Sequence, residues 1–458
     1  MAKVYLQTLG CPKNLVDSEV MLGLAARGGA EIVLDPADAD VYVVNTCAFI
    51  GPAKQESIDV ILELARFKEE DPSRRLIVTG CLAQRYGSEL QEALPEVDAF
   101  LGTGDFDRLP VLLDAPVRSD ASIYGGAAHL LPDLDSPRVR TGAFFSAYLK
   151  VSEGCDHRCA FCIIPKIRGR HQSRPLDTLL TEAAGLVAEG VVELNLIAQD
   201  LTAYGRDLRN GTSLAGLLRR LAEIDGVRWI RLLYTYPNFV DAALLEAIAE
   251  LEPVCKYIDM PLQHISDRIL RSMRRERSGN SVRKLVRRIR DAVPGIALRT
   301  SLIVGYPGET AEDFAELMDF VRETRFDRLG VFEYSPEEGT AAERLPQQLA
   351  ARIKMERYRS IMKAQAAISA EKNRGLIGRD VRVLVCGEDQ QARFHGRMST
   401  QAPDIDGVVH LHGEAAPGEI VSARIRSASV YDLKAVLAPI TGDPIDTNGN
   451  RPYTAAPF

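Results

Sequence analysis

Six of the eight cysteines fall into two sets whose spacing could do chemistry. The tighter set is Cys155-Asp156-His157-Arg158-Cys159-Ala160-Phe161-Cys162, a C-x3-C-x2-C run on one short loop. Three thiolates so placed can hold three irons of a four-iron cube, because all-cysteine ligation suits iron–sulfur chemistry. A fourth iron with no protein ligand would stay open to a small chelating molecule, as the open position of a catalytic zinc does. A structural zinc site completed by His157 or a distant cysteine is the alternative, although zinc motifs commonly supply their ligands in two pairs.

The second set is dispersed. Cys11 follows Lys3–Gly10, Cys47 follows Asp40–Thr46 and Cys81 follows Leu76–Gly80. Each stands at the carboxyl end of an expected strand, where side chains from neighbouring strands of a parallel sheet converge. A second three-thiolate cluster with an open iron fits this placement; three buried cysteines acting as small hydrophobes is the other reading. Cys255 and Cys386 have apolar surroundings and no partner spacing, and are expected to pack in cores.

The elements that must position these thiols follow from periodicity. Over 1–105, strand patterns at Lys3–Leu9, Glu31–Leu34, Asp40–Asn45, Leu76–Thr79 and Ala99–Leu101 alternate with helical patterns at Val16–Ala26, Lys54–Phe67 and Ser88–Leu94. That alternation predicts a parallel sheet covered by helices. Residues 106–141 lack periodicity and read as a linker. From 142 the alternation resumes, with strands at Ala147–Val151, Glu193–Ile197, Trp229–Tyr234, Tyr257–Met260, Leu298–Val304 and Arg328–Tyr334. The helices between them are Leu176–Glu189, Ser213–Ile224, Asp241–Glu250, Asp267–Val293 and Ala311–Thr324. Six such units predict a partial (β/α)6 barrel over 142–375, with a basic-leaning helix at 346–375 and the chemistry at the strands' carboxyl ends. Short β-runs at Val381–Val385, Gly407–Leu411 and Ile420–Ile425 predict a small all-β barrel over 376–440, and 441–458 reads as a polar tail. The fold class is α/β.

Composition narrows the setting. With 46% hydrophobic and 26% charged residues in 458, the chain suits globular domains, not disorder. It contains no apolar run long enough for a membrane helix, and its start lacks a signal-peptide pattern. A cytoplasmic location and no membrane partner are expected; a monomer is also expected. The net charge of −7 favours a basic partner over wholesale nucleic-acid binding. Residues 379–440 carry seven Arg or Lys against eight Asp or Glu, which points the same way. The stretch Arg268–Arg290 holds ten Arg or Lys and reads as the solvated face of an outer helix, with an RNA-facing strip as the alternative.

The C-x3-C-x2-C loop resembles that of radical S-adenosylmethionine (SAM) enzymes. Over nearly its whole length the chain resembles the methylthiotransferase family among them, with a TRAM-like C-terminal barrel. Carrying the resemblance are Leu9-Gly10-Cys11-Pro12-Lys13-Asn14-Leu15-Val16-Asp17-Ser18-Glu19, Asn45-Thr46-Cys47-Ala48-Phe49-Ile50, Thr79-Gly80-Cys81-Leu82-Ala83-Gln84-Arg85-Tyr86 and Ser152-Glu153-Gly154-Cys155. Ala198-Gln199-Asp200-Leu201-Thr202-Ala203-Tyr204-Gly205, Tyr234-Thr235-Tyr236-Pro237 and Met260-Pro261-Leu262-Gln263-His264 add to it. Together they are similar to the branch that methylthiolates the β-carbon of an aspartate in small-subunit ribosomal protein S-twelve, rather than the branch that modifies a tRNA adenosine.

The resemblance implies two 4Fe-4S clusters, one on Cys11, Cys47 and Cys81 and one on Cys155, Cys159 and Cys162. The second cluster would bind SAM and yield a deoxyadenosyl radical; the first would hold the sulfur that is methylated and transferred. It also implies an electron-donor protein and a basic ribosomal-protein substrate, free or on the ribosome. Phe161 stands where the superfamily places an aromatic beside adenine. Ala198-Gln199-Asp200 replaces the usual Gly-Gly-Glu, leaving Gln199 as candidate for SAM's amino group. Gly305 and Gly308, in a turn after the fifth barrel strand, would let backbone approach the cofactor.

Overall fold

A computed structural model describes residues 1–114, 122–124, 137–388 and 393–437. The chain divides into two compact units, Met1–Ile368 and Ser369–Phe458.

The first unit contains two parallel sheets. In the first sheet the strands Lys3–Thr8, Glu31–Ile32, Val41–Thr46, Arg75–Gly80, Ala99–Leu101 and Ser122–Tyr124 lie in the order second, first, third, fourth, fifth, sixth. Val41–Thr46 is buried at every position, as a strand covered by helices on both faces must be. The reversal of order between Lys3–Thr8 and Val41–Thr46 makes a topological switch point, where the strand ends diverge and open a crevice. Pro12–Arg27, with proline at its first position, and Gly51–Glu70 follow the two strands that flank it.

The second sheet runs open from Ser146–Lys150 through Glu193–Ile197, Trp229–Leu232, Val254–Asp259 and Ala297–Val304 to Arg328–Glu333, every strand parallel to its neighbour. Leu194, Leu196, Ile230, Leu232, Ile258, Leu298 and Leu302 form its core with the apolar faces of the covering helices. The Ala311–Thr324 helix starts on a capping box. Thr310 Oγ1 accepts from the Asp313 backbone, and Asp313 accepts back from Thr310 N at 2.9 Å.

Two expectations for the first unit are corrected. The segment 106–141 is not a plain linker: Leu109–Asp114 is helical, and Ser122–Tyr124 pairs in parallel with Ala99–Leu101 as the first sheet's sixth strand. Its last residues are pinned to the first helix, with Val139 N donating to Glu19 O at 2.9 Å and Arg138 paired with Glu19 at 2.5 Å. The span Asp267–Val293 is two helices, Asp267–Ser272 and Gly279–Ala292. Arg274 adopts a left-handed φ of 56° between them, and Ser278 caps the second. The basic residues of Arg268–Arg290 do lie largely on a solvated face: Arg268, Arg271, Arg274, Lys284, Arg287 and Arg288 are exposed, while Val282, Leu285, Val286 and Ile289 are buried. Arg283 pairs with Glu323 at 2.9 Å, Arg290 donates to Arg325 O at 3.1 Å, and Arg268 pairs with Asp313.

The second unit holds a closed five-stranded barrel of Asp380–Glu388, Phe394–Met398, Val409–His412, Ile420–Ala428 and Leu433–Leu437. Val383, Val385, Val409, Leu411, Ile425 and Leu433 fill it. Phe394–Met398 and Leu433–Leu437 lack an alternating apolar run long enough to announce them. Cys386 does not pack in this core; it sits half-buried at a bulge, its thiol donating to Leu384 O at 3.5 Å. Cys255 is buried. The expected tail 441–458 lies outside the described residues. Among the described residues no helix is long and apolar enough to cross a membrane.

Candidate active site between the two sheets

All six cysteines of the two sets are free thiols. Hydrogen bonds lock the three strand ends of the dispersed set together. Asn14 Nδ2 donates to Leu9 O at 2.8 Å and Thr46 O at 2.9 Å, joining the Cys11 and Cys47 segments. Thr46 Oγ1 donates to Thr79 O at 2.6 Å and accepts from Leu82 N at 3.2 Å, joining the Cys47 and Cys81 segments. The register carries the same message, with Thr8 opposite Asn45 and Thr46 opposite Gly80. Cys11 and Cys47 thus flank the switch-point crevice, and Cys81 begins the Cys81–Ala93 helix beside it.

Gly10 is needed at this spot. Its φ is +89°, and a Cβ there would lie 2.7 Å from the Cys47 Cβ and 3.0 Å from its Sγ. Burial pushes the Cys81 thiol up to about 12, with the Arg168 guanidinium acting against that from 3.4 Å. Burial raises Cys47 as well. Thiols made this reluctant to ionise by desolvation are unreactive by themselves, and lose their protons when a metal takes the sulfur.

The tighter set is held by its flanks. Cys155 N donates to Gly169 O at 3.1 Å, and Ala160 N to Met273 O at 2.9 Å. The His157 ring stacks on Tyr236 with centroids 3.6 Å apart, while its Nε2 meets Asp200 Oδ2 at 2.7 Å. On the same Tyr236 ring lies the Arg275 guanidinium, at 4.2 Å, with its Nη1 3.5 Å from Cys159 Sγ. Burial lifts Cys155 and Cys162 to about 12. Among the described residues no three Cys, His, Asp or Glu side chains gather closely enough to enclose a bare ion. A four-iron cube, which spreads its thiolates over separate corners, asks for a wider frame.

A buried ionic cluster joins the two sets, and nothing in the periodicity announced it. Arg168 donates to Asp17 Oδ2 at 2.7 Å, to Glu153 Oε2 at 3.2 Å, to Asn14 and to Cys81. Lys150, the last residue of its strand, pairs with Glu153 at 2.9 Å and with Asp17. Burial works to raise Glu153, but Lys150 and Arg168 outweigh it and hold the carboxyl at about 2. Removing Arg168 would leave its acids under-compensated in the interior, a loss of about 3–5 kcal/mol for a broken buried pair. The sequence did hold one signal: a lysine at position 150 ending an otherwise apolar strand.

Lys13 stands apart from this cluster. It is 6% exposed, and its Nζ lies over the Tyr234 ring, 3.0 Å from the centroid. Burial lowers its pKa, with Cys11 and Glu153 acting in the opposite direction. A desolvated ammonium over an aromatic face gains about 2 kcal/mol. Taking such a cation out of water costs several kcal/mol, so the ring does not offset its burial.

The other expected contacts are more scattered. Gln199 Nε2 donates to Glu153 Oε1, while its Oε1 is buried with no partner among the described residues. Phe161 is half-buried, packed against a cluster that includes Ala160, Ile269, Met273 and Tyr306. Gly305 has φ +72° and its open side faces the Lys354 side chain; Gly308, at φ +76°, faces Gln347. Glu309 accepts from Gly305 N at 2.7 Å and Tyr306 N at 3.1 Å, so the protein's own packing accounts for the glycine turn.

Comparison with known proteins places this geometry. A model described as the radical SAM superfamily matches residues 149–321. One described as uncharacterized protein family UPF0004 matches 3–102, and one described as the TRAM domain matches 377–437. A curated protein of Geotalea uraniireducens, named ribosomal protein uS12 methylthiotransferase RimO, is 52% identical over 441 residues, 95% of this chain and 98% of its own length. A protein of the same name from Myxococcus xanthus is 49% identical over 94% of this chain and 91% of its own. Among solved structures, the radical SAM methyltransferase TsrM of Kitasatospora setae aligns with a TM-score of 0.55 at 17% identity, covering 75% of this chain and 76% of that one, a likeness of fold. The chain is a radical SAM enzyme whose chemistry draws on an iron–sulfur cluster and SAM. Similar to such relatives from one end of the alignment to the other, it belongs to the radical SAM methylthiotransferase family whose members bear the name RimO.

Proposed function

We propose that this enzyme places a methylthio group on the β-carbon of an aspartyl residue of ribosomal protein uS12. The observation that carries the reading is identity of about half the residues, over nearly the full length, with curated proteins named for that activity. The residues fit the groups the reaction needs. Cys155, Cys159 and Cys162 would hold one 4Fe-4S cluster with SAM beside it; Cys11, Cys47 and Cys81 would hold a second. When bound, these groups supply an electron for SAM cleavage and a sulfur for transfer.

The protein's own part is to position and to shield. Arg275 and Arg168 direct N–H donors at one sulfur of each trio, Cys159 and Cys81. Such donors tune a cluster and stabilise charge on its ligands. Gln199 Oε1, unpartnered and buried next to Glu153, is the acceptor we assign to the amino group of SAM, and Phe161, half-buried on the cysteine loop, is the aromatic we assign to the adenine. The turn of Gly305 and Gly308 follows the carboxyl end of Ala297–Val304. The near-neutral balance of residues 379–440 suits a basic protein substrate better than RNA.

Mass spectrometry of uS12 and of total tRNA, from cells with and without this gene, tests the assignment. The expected result is a methylthio group on uS12 that vanishes with the gene, tRNA being unchanged. A methylthio loss confined to tRNA would reject it.

A further inference from the structure

We infer that the Lys13 ammonium, seated over the Tyr234 ring beside Cys11, receives the carboxylate of the aspartyl side chain to be modified. The inference rests on the functional reading above and names the group that would select an acidic side chain.

The carboxylates around the site are matched without Lys13. Lys150 and Arg168 are matched by Asp17 and Glu153. The acids within electrostatic reach of Lys13 are already engaged. Asp259 accepts from Arg299 Nη1 at 2.8 Å and Tyr234 N at 3.2 Å, and Glu153 is held by Lys150, Arg168 and Gln199. Lys13 is thus a buried cation with no hydrogen-bonded anion among the described residues. A largely desolvated ammonium whose one close partner is a ring face marks a place for an acceptor from outside.

Its support is held under strain. Tyr234 has a left-handed φ of 63°, unusual for an aromatic residue. Leu201 N donates to its carbonyl at 3.0 Å and Asp259 takes its N–H, so the ring is fixed beneath the ammonium. Residues held in such conformations cluster where function needs them. Lys13 lies two residues beyond Cys11, and Tyr234 just past the end of Trp229–Leu232, so the pair bridges the carboxyl ends of the two sheets. The β-carbon of an aspartyl residue is bonded directly to its carboxyl carbon. Anchoring the carboxylate therefore fixes the reacting carbon one bond away.

The test compares binding of fluorescently labelled uS12 with that of uS12 whose modified aspartate is changed to asparagine. The enzyme is reconstituted anaerobically with iron, sulfide and SAM. The wild-type enzyme is expected to favour the aspartate form by about a hundredfold, because asparagine leaves the ammonium unpaired. Lys13→Met should bring that ratio to within about threefold of unity, by removing the charge at similar volume. A Lys13→Met enzyme that keeps the preference, or weakens on both forms equally, would overturn the inference; the latter would assign Lys13 to packing or to the Cys11 trio. The wild-type comparison stands even if the variant does not fold, since equal affinity for the two forms also overturns it. Should the wild-type enzyme leave uS12 unmodified, the functional reading fails; should it modify uS12 while the variant keeps its preference, only the role of Lys13 fails.

Discussion

Replacing Cys159 with alanine should reduce deoxyadenosine formation from SAM by at least about a thousandfold, on the order of 4 kcal/mol in barrier. The substitution removes one of three thiolates from the loop assigned to the SAM-binding cluster. It should not unfold that loop, because apart from the Arg275 contact to its sulfur the bonds that shape it do not use the Cys159 side chain. Cys162 N donates to Cys159 O at 3.1 Å, Ala342 N to Ala160 O at 2.8 Å, and His157 stacks on Tyr236. Arg275 keeps its place over Tyr236 and its bond to Pro261 O at 2.8 Å. A folded variant is therefore expected, with the deoxyadenosine assay reading the missing ligand. Cleavage persisting at the wild-type rate would mean that Cys159 holds no part of the cluster.

The second large effect separates the two trios. In Cys47→Ala, methylthiolation of uS12 should fall by at least about a hundredfold, while deoxyadenosine is still released from SAM without product. The backbone at 47 is secured independently of the thiol. Cys47 N donates to Ser57 Oγ at 3.1 Å, and that hydroxyl donates back to Cys47 O at 3.0 Å. Alanine is also smaller than cysteine beside Gly10, so no clash is introduced. Loss of both products would show that the two trios do not act separately. Chromatography for deoxyadenosine and mass spectrometry for uS12, on one reaction mixture, distinguish the outcomes.

Why this site was partly legible beforehand follows from what periodicity records. The strands that end at Cys11, Cys47 and Cys81 are apolar runs closed by Gly or Thr, and such runs locate strand ends to within a residue or two. Strand ends in turn locate thiols, because parallel sheets direct their chemistry there. The order of strands was not legible: pairing in a parallel sheet is long-range, so the switch point between Lys3–Thr8 and Val41–Thr46 emerged only in three dimensions.

Short edge elements were missed for a related reason. Ser122–Tyr124 is three residues long and takes its identity from its pairing with Ala99–Leu101. The division of Asp267–Val293 turns on one left-handed residue, Arg274, and a cap at Ser278, within a run whose charge pattern looked continuous. Least legible were Asp17, Lys150, Glu153 and Arg168. Charged residues normally mark surfaces, and only mutual pairing makes their burial tolerable. Lys13 was as hard to foresee, being buried over a ring without a paired acid. Its neighbour Asn14 is a polar side chain carried inside because three chain segments need its bonds.

The central claim is that two trios of thiols, one at a switch point and one on a loop, each carry a cluster within a single enzyme. Iron and acid-labile sulfide measured on protein reconstituted anaerobically, purified and quantified by amino-acid analysis, address it most directly. About eight irons and eight sulfides per chain are predicted, falling to about four of each when Cys11, Cys47 and Cys81 are all replaced by alanine. About four irons in the unaltered protein, or a count that the triple replacement does not change, would contradict it.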